Sequence, residues 1–268
     1  MIYLYKRDSK YYEVYFTPPN KENKMRAAVI SDIHANLQAL EAVMDDIIAQ
    51  NCEHVFCLGD LVLAGPQPKE TIEYVMEQEA WTIIQGNTDK MIVNYGEEVM
   101  NFLAEQYPIM ANALEDDMKY FTDTQIEFLG NLAPQLSLDV EGCSVLLVHG
   151  SPRANNEDIF PEMKIEEIEE IINGTTEKLI LCGHTHVPCG YQTHTGQTVV
   201  NVGSVGRPMT DKPVACYAIV DFADGSFEIK HRFVPYDNQK AANIMTKRDF
   251  IGSDRIADLL LNPSQRHI

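Results

Sequence analysis

The hydrophobic pattern changes period along the chain. Ala27-Ala28-Val29-Ile30 is a continuous apolar run that breaks at Ser31-Asp32-Ile33-His34, and it reads as a buried strand. Leu37, Leu40, Val43, Met44, Ile47 and Ile48 then recur at helical spacing with acidic residues between them. Val55 to Leu58 forms a second strand closed by Gly59-Asp60, and Pro68 opens a helix whose apolar face is Ile72, Val75 and Met76. Trp81 to Ile84 is a third strand, closed by Gly86-Asn87. Successive strand–loop–helix units predict an α/β sheet with crossover connections.

From 90 to about 133, acidic and amide residues mix with Phe102, Leu103, Leu114, Phe121, Ile126, Phe128 and Leu129. This pattern predicts a helical insert covering one side of any site at the strand ends. Residues 136–140 and 144–148 predict a hairpin around Glu141-Gly142, and 162–172 an amphipathic helix. Further strands are expected at 178–181, 190–194, 198–202, 215–221 and 227–234, the last two joined at Asp224-Gly225. A helical segment and a polar tail complete the pattern. The expected organisation is an extension over 1–24 without catalytic residues, a main domain over 25–250, and a C-terminal helix and tail over 251–268. The pattern itself supports an α/β fold with a β-rich second half.

Charge narrows the functional classes. The 268 residues carry 21 basic and 40 acidic side chains, a formal net charge of -19. Such a surface repels nucleic-acid duplexes and anionic lipid. A phosphate-bearing substrate remains compatible, because bound dications reverse the local sign of a site. The apolar runs are too short to span a bilayer, and the N-terminus does not read as a signal peptide. The six cysteines are scattered without a Cys-x-x-Cys pair. They are expected to be reduced, mostly buried thiols of a cytoplasmic protein.

The candidate chemistry sits where strands end. Asp32 and His34 follow the first strand, Asp60 the second and Asn87 the third. His149 closes the strand 145–148, and His184 and His186 follow the strand around Leu179. Ligands bind outside the carboxyl ends of strands in open α/β sheets, and all seven side chains can hold a metal. Each fragment also has a structural reading. Asp32 can cap the next helix, Gly59-Asp60 and Gly86-Asn87 can be turns, and His149 can be a packed histidine. His184-Thr185-His186 is the strongest fragment, because two histidines on one extended loop can face one site.

The ordered set D-x-H, G-D, G-N, H-G and G-H-x-H resembles the calcineurin-like metallophosphoesterases, nearest to the small YfcE-like phosphodiesterases. The matching stretches are Ser31 to Asn36, Leu58 to Val62, Gly86 to Asp89, His149 to Pro152 and Cys182 to His186; Asn201 to Pro208 matches the family's glycine-rich stretch. The resemblance implies a two-layer β-sandwich core flanked by helices. It implies that Asp32, His34 and His186 hold one metal, that Asn87, His149 and His184 hold a second, and that Asp60 bridges them. Asp60, Asn87 and His149 are then the catalytic set. The cofactors implied are two divalent transition-metal ions, with Mn favoured and Fe, Co, Ni or Zn accepted by the same nitrogen and oxygen ligands. A hydroxide between the two ions would attack phosphorus, on a small phosphoester. Phosphomonoesterase, protein phosphatase and binding scaffold remain as alternatives.

One departure stands out. Many members carry a histidine after the metal-binding asparagine, where this chain has Thr88. Threonine can donate a hydrogen bond to substrate but is a poor general acid. Arg153 follows the His149 motif, so it is either a substrate-phosphate contact or a solvated loop residue. Arg207 has similar standing. His194 is a candidate substitute for the absent histidine, or else a half-exposed strand residue.

Overall fold

The computed structural model describes residues 13–14 and 24–263. In chain order the elements begin β1 (Glu13–Val14), β2 (Met25–Ile30), α1 (Leu37–Ala49), β3 (His54–Cys57), α2 (Pro68–Met76) and β4 (Thr82–Ile83). Four helices follow: α3 (Asn87–Val93), α4 (Glu97–Gln106), α5 (Pro108–Asp117) and α6 (Asp123–Asn131). Then come β5 (Gln135–Val140), β6 (Cys143–Val148), α7 (Ile165–Ile171), β7 (Leu179–Cys182), β8 (Cys189–Gln192) and β9 (Thr198–Asn201). The chain continues through β10 (Ala215–Ala223), β11 (Ser226–Val234), α8 (Asn238–Met245) and α9 (Ser253–Leu261).

These elements build two mixed sheets flanked by helices, the expected two-layer core. The first has the order β1-β11-β10-β2-β3-β4, with β2, β3 and β4 parallel. The second has the order β5-β6-β7-β9-β8, with β6, β7 and β9 parallel. Strand alternation explains the layers. In β2, Ala27 and Val29 join Leu147, Leu181, Val200 and Val220 in the core between the sheets. Their neighbours Ala28 and Ile30 pack instead with Leu40, Val43 and Ile47 of α1. On the far side, Leu146, Ile180 and Val199 pack with Ile168 and Ile171 of α7. A strand segment buried on both faces must be apolar at every position, which is why β2 reads as an unbroken run from Ala27 to Ile30.

Both expected hairpins form. Glu141 and Gly142 have φ 51° and 77°, and Asp224 and Gly225 have 49° and 69°, the paired left-handed residues that a two-residue turn requires. The insert is helical as expected. Ile92, Leu103, Leu114 and Leu129 pack against Val62, Leu63 and Ala64, behind the loop that follows Asp60. Of the expected extension, Glu13 and Val14 pair antiparallel with Lys230 and Ile229. The rest of it up to residue 23, and the tail 264–268, lie outside the described residues.

Candidate metal centre

The carboxyl ends of β2, β3 and β4 in one sheet and of β6 and β7 in the other deliver all seven expected ligands. Five of them have left-handed backbone: Asp32 (φ 55°), His34 (45°), Asp60 (54°), His184 (68°) and His186 (64°). Non-glycine residues in this region carry strain, and surrounding contacts must hold them there. The hydrogen bonds Asp32 N–H to Gly59 O (3.0 Å) and His34 N–H to Asp60 O (3.0 Å) supply that support. Glycines make the approach possible. A Cβ on Gly86 would collide with the Asp60 carboxylate, and one on Gly183 with Ser31 and Asp32. Asp32 does not cap α1. Asn36 does, accepting from Ala39 N–H at 3.2 Å.

Two ligand groups emerge. In the first, His186 Nε2 lies 3.1 Å from Asp32 Oδ1, and His34 Nε2 lies 3.1 Å from His186 Nε2 and 3.8 Å from Asp32 Oδ1. In the second, Asn87 Oδ1 lies 2.9 Å from His149 Nε2 and 2.8 Å from His184 Nδ1. Asp60 Oδ2 stands between them, 3.6 Å from His34 Nε2 and 3.3 Å from His149 Nε2. Asp32–His34–His186 and Asp32–Asp60–His149 each bring their ligand atoms within 4.8 Å of one another.

The donor set fits a cation. Asp32 Oδ1 is fully buried and, among the described residues, has no hydrogen-bond partner, a costly state for a carboxylate oxygen. The Nδ1–H of His34 donates to Leu63 O (3.2 Å) and that of His186 to Arg207 O (2.7 Å). With Nδ1 protonated in both neutral rings, two Nε2 lone pairs face each other at 3.1 Å. That arrangement is repulsive without a positive centre between them. His149 Nδ1–H donates to Leu58 O (2.7 Å), so its Nε2 is also aimed inward. Such outer hydrogen bonds fix ring orientation and tautomer in metal sites.

The electrostatics follow from burial and proximity. Burial, helped by the positive charge of Arg207, pushes His34 down to about 3, so it stays neutral and ready to ligate. Burial also lowers His184, to about 4. Burial alone would raise Asp32 and Asp60, yet the facing histidines hold both below the usual carboxylate range. Burial would lower His149, but Asp60 and Asp32 outweigh it and raise it to about 10. A metal entering here must displace that proton.

Three residues that sequence reasoning left without roles organise the centre. Asp89 is fully buried and accepts from the N–H groups of Asp60 (2.9 Å), Leu61 (2.9 Å) and Gly86 (2.9 Å), so one carboxylate clasps two ligand loops. Burial, then the neighbouring Asp60, raises it to about 7. Asn201 donates to Gly183 O (2.6 Å) and Thr185 Oγ1 (2.9 Å), backing the His184–His186 loop. Asp158 Oδ1 lies 3.4 Å from His184 Nε2. The motif containing Asp89 was the only available signal for it; Asp158 lies in a loop without periodicity.

Two expected substrate contacts have other partners. Thr88 is buried, its hydroxyl donates to Val62 O (3.2 Å), and its backbone N–H holds Asp60 Oδ1 (2.8 Å). Its single hydroxyl proton is therefore not offered to a substrate, and its part is to position Asp60. Arg153 turns to Glu157, with Nε 3.0 Å from Oε2 and a second close contact through Nη2. That pairing occupies the fork with which a guanidinium would meet a phosphate. His194 is exposed and pairs with Glu169 at 3.1 Å, away from the centre.

Known proteins resemble this chain in sequence and in fold. The calcineurin-like phosphoesterase superfamily domain matches residues 25–225. An uncharacterized protein of Methanocaldococcus jannaschii is 29% identical over 238 residues, covering 84% of this chain and 93% of its own. Among solved structures, a metallophosphoesterase from Sphaerobacter thermophilus superposes with TM-score 0.71 at 26% identity, over 89% of this chain and 98% of that one. A hypothetical protein from Pyrococcus horikoshii shares the fold with TM-score 0.79 at 20% identity, over 90% and 100%. With the family's span running from the first core strand to beyond the last metal histidine, the chain belongs to the calcineurin-like phosphoesterase superfamily and is a metal-dependent phosphoesterase.

Proposed function

We propose that this phosphoesterase is a cytoplasmic phosphodiesterase that favours Mn and hydrolyses a small phosphoester with a stable leaving group. The observation that carries the reading is the pairing of Arg153 with Glu157. A phosphomonoester brings two negative charges to the strand ends and a diester only one. With the Arg153 charge already balanced, the singly charged ester is the better match. Thr88 sharpens the leaving-group preference. Its hydroxyl donates to Val62, so position 88 gives the departing oxygen no proton, and an anion stable by itself leaves most readily.

Asp32, His34 and His186 would hold one dication, Asn87, His149 and His184 the other, with Asp60 shared. When bound, such ions acidify water and neutralise charge on phosphoryl oxygens. The chain's own residues set the rest. Asn87 presents Oδ1 to the histidines, which turns its amide N–H groups toward the side a phosphoryl oxygen would occupy. Asp60 is held by the Thr88 N–H through one oxygen, leaving Oδ2 between the two groups. The carboxylate, amide and imidazole donors accept Mn and also Fe, Co, Ni and Zn, so cellular supply decides among them. The six unpaired thiols, five of them buried, fit a reducing compartment. The net charge of -19 fits a small substrate rather than a nucleic-acid duplex or a membrane surface.

The test is hydrolysis of bis-p-nitrophenyl phosphate by chelator-stripped protein, with and without Mn, alongside Asp60→Asn. Turnover restored by Mn in the wild type alone is the expected result. Turnover confined to p-nitrophenyl phosphate replaces the diesterase with a monoesterase. Bound metal without turnover on either ester replaces it with a binding module.

A further inference from the structure

We propose that Asp117 and Arg248 are positioning residues for the first metal group, acting on His34 through the Leu63–Gly65 backbone. The inference rests on the metal centre and is independent of the ester class.

The path is short and continuous. His34 Nδ1–H donates to the carbonyl of Leu63 (3.2 Å). That carbonyl is in the peptide unit joining two consecutive left-handed residues, Leu63 (φ 81°) and Ala64 (φ 59°). Neither has the freedom of glycine, so their neighbours must hold the conformation. Two contacts do so from the side away from the metals. The Asp117 carboxylate accepts the Ala64 N–H through Oδ2 (2.9 Å), and Arg248 Nη1–H donates to Gly65 O (2.7 Å). Arg248 also ties itself to Asp117 Oδ1 and Asp116 Oδ2, at 2.6 Å each. Tyr120 and Phe250 flank its guanidinium, with ring centroids 5.0 and 5.5 Å away.

This cluster joins the end of α5 to the connection between α8 and α9, and both grip the loop after Asp60. Asp117 is fully buried and Arg248 is 8% exposed. A buried ion pair is weak evidence for a stability role, since apolar replacements of similar volume are often neutral or better. What an apolar replacement cannot supply is an acceptor for Ala64 N–H or a donor to Gly65 O. Those two hydrogen bonds set the direction of the Leu63 carbonyl, and the carbonyl sets the His34 ring.

Asp116 supplies an internal control. It shares Arg248 with Asp117 and also pairs with Lys119 at 3.0 Å, but none of its hydrogen bonds reaches the 63–65 backbone. Full-length wild type, Asp117→Ala, Arg248→Lys and Asp116→Asn are titrated with Co²⁺, following the ligand-field absorption of each group, with Tm measured on the same samples. The expected result is an affinity about 10-fold lower in the first group for Asp117→Ala, as for lost outer-shell partners. Arg248→Lys, which keeps the charge but puts its donors on a single nitrogen, falls between. Asp116→Asn leaves the affinity unchanged while lowering Tm. If Asp117→Ala does not fold, Arg248→Lys alone decides. Unchanged first-group affinity in Arg248→Lys, or equal weakening by Asp116→Asn, overturns the proposal. A wild type that takes up no metal overturns it together with the metal centre, whereas intact uptake with no ester turnover leaves it standing.

Discussion

The two metal groups differ in what holds them. In the first, both imidazoles are oriented by backbone carbonyls, Leu63 O for His34 and Arg207 O for His186, and every ligand side chain is at most 9% exposed. In the second, His149 is anchored to Leu58 O. His184 turns the other way round, offering Nδ1 inward and Nε2 to the Asp158 side chain, which is 45% exposed. A backbone carbonyl fixed by folding cannot swing away, while an exposed carboxylate can. The first group should therefore bind its ion tightly and the second exchange it.

Asp60→Asn strikes both groups at once and should have the largest effect. Loss of the shared oxygen's charge should abolish turnover and reduce bound metal, read by elemental analysis after desalting. Gly86→Ala should come next. The new Cβ collides with the Asp60 carboxylate, so overpacking should cost about 1–3 kcal/mol of stability, read by denaturant titration, and turnover should fall with it. Asp158→Asn separates the groups. It should weaken the second site by about 10- to 100-fold and leave the first unchanged, measured by calorimetric titration with Mn. Limiting chelator gives the same contrast without a mutation, and should leave one metal per chain at the intermediate step. Simultaneous loss of both would erase the distinction. Arg153→Ala should do least. Its partner is Glu157, so stability should change by less than about 1 kcal/mol and the rate on bis-p-nitrophenyl phosphate should stay within a few-fold.

The seven candidate ligands stood out because they follow the ends of apolar or largely apolar strands, most of them buried. Punctuation marked Asp32, Asp60, Asn87 and His149 as candidates at the strand ends, and the ordered motifs shared with the family singled them out from caps and turns. The directions of hydrogen bonds were not legible. Asp89 sits two residues beyond a visible ligand, yet its role depends on N–H groups 28 and 29 residues earlier. Thr88 looked like a substrate donor because nothing in the chain announces that Val62 O lies beside it. Arg153 looked available because an i,i+4 partner in a loop has no helical pattern to reveal it. The order of strands in each sheet was equally hidden. Hydrophobic period reports burial and is silent about which neighbour does the burying.

The seam between the sheets has a consequence for how the molecule assembles. Asp32, His34, Asp60 and Asn87 come from the first sheet, and His149, His184 and His186 from the second. Each group therefore needs both halves, and His34 meets His186 across 152 residues of chain. An ion cannot nucleate either half alone, because neither presents a full set of ligands. It acts instead as a latch, closing only after the halves have met and then resisting their separation by an amount that grows with free-ion concentration.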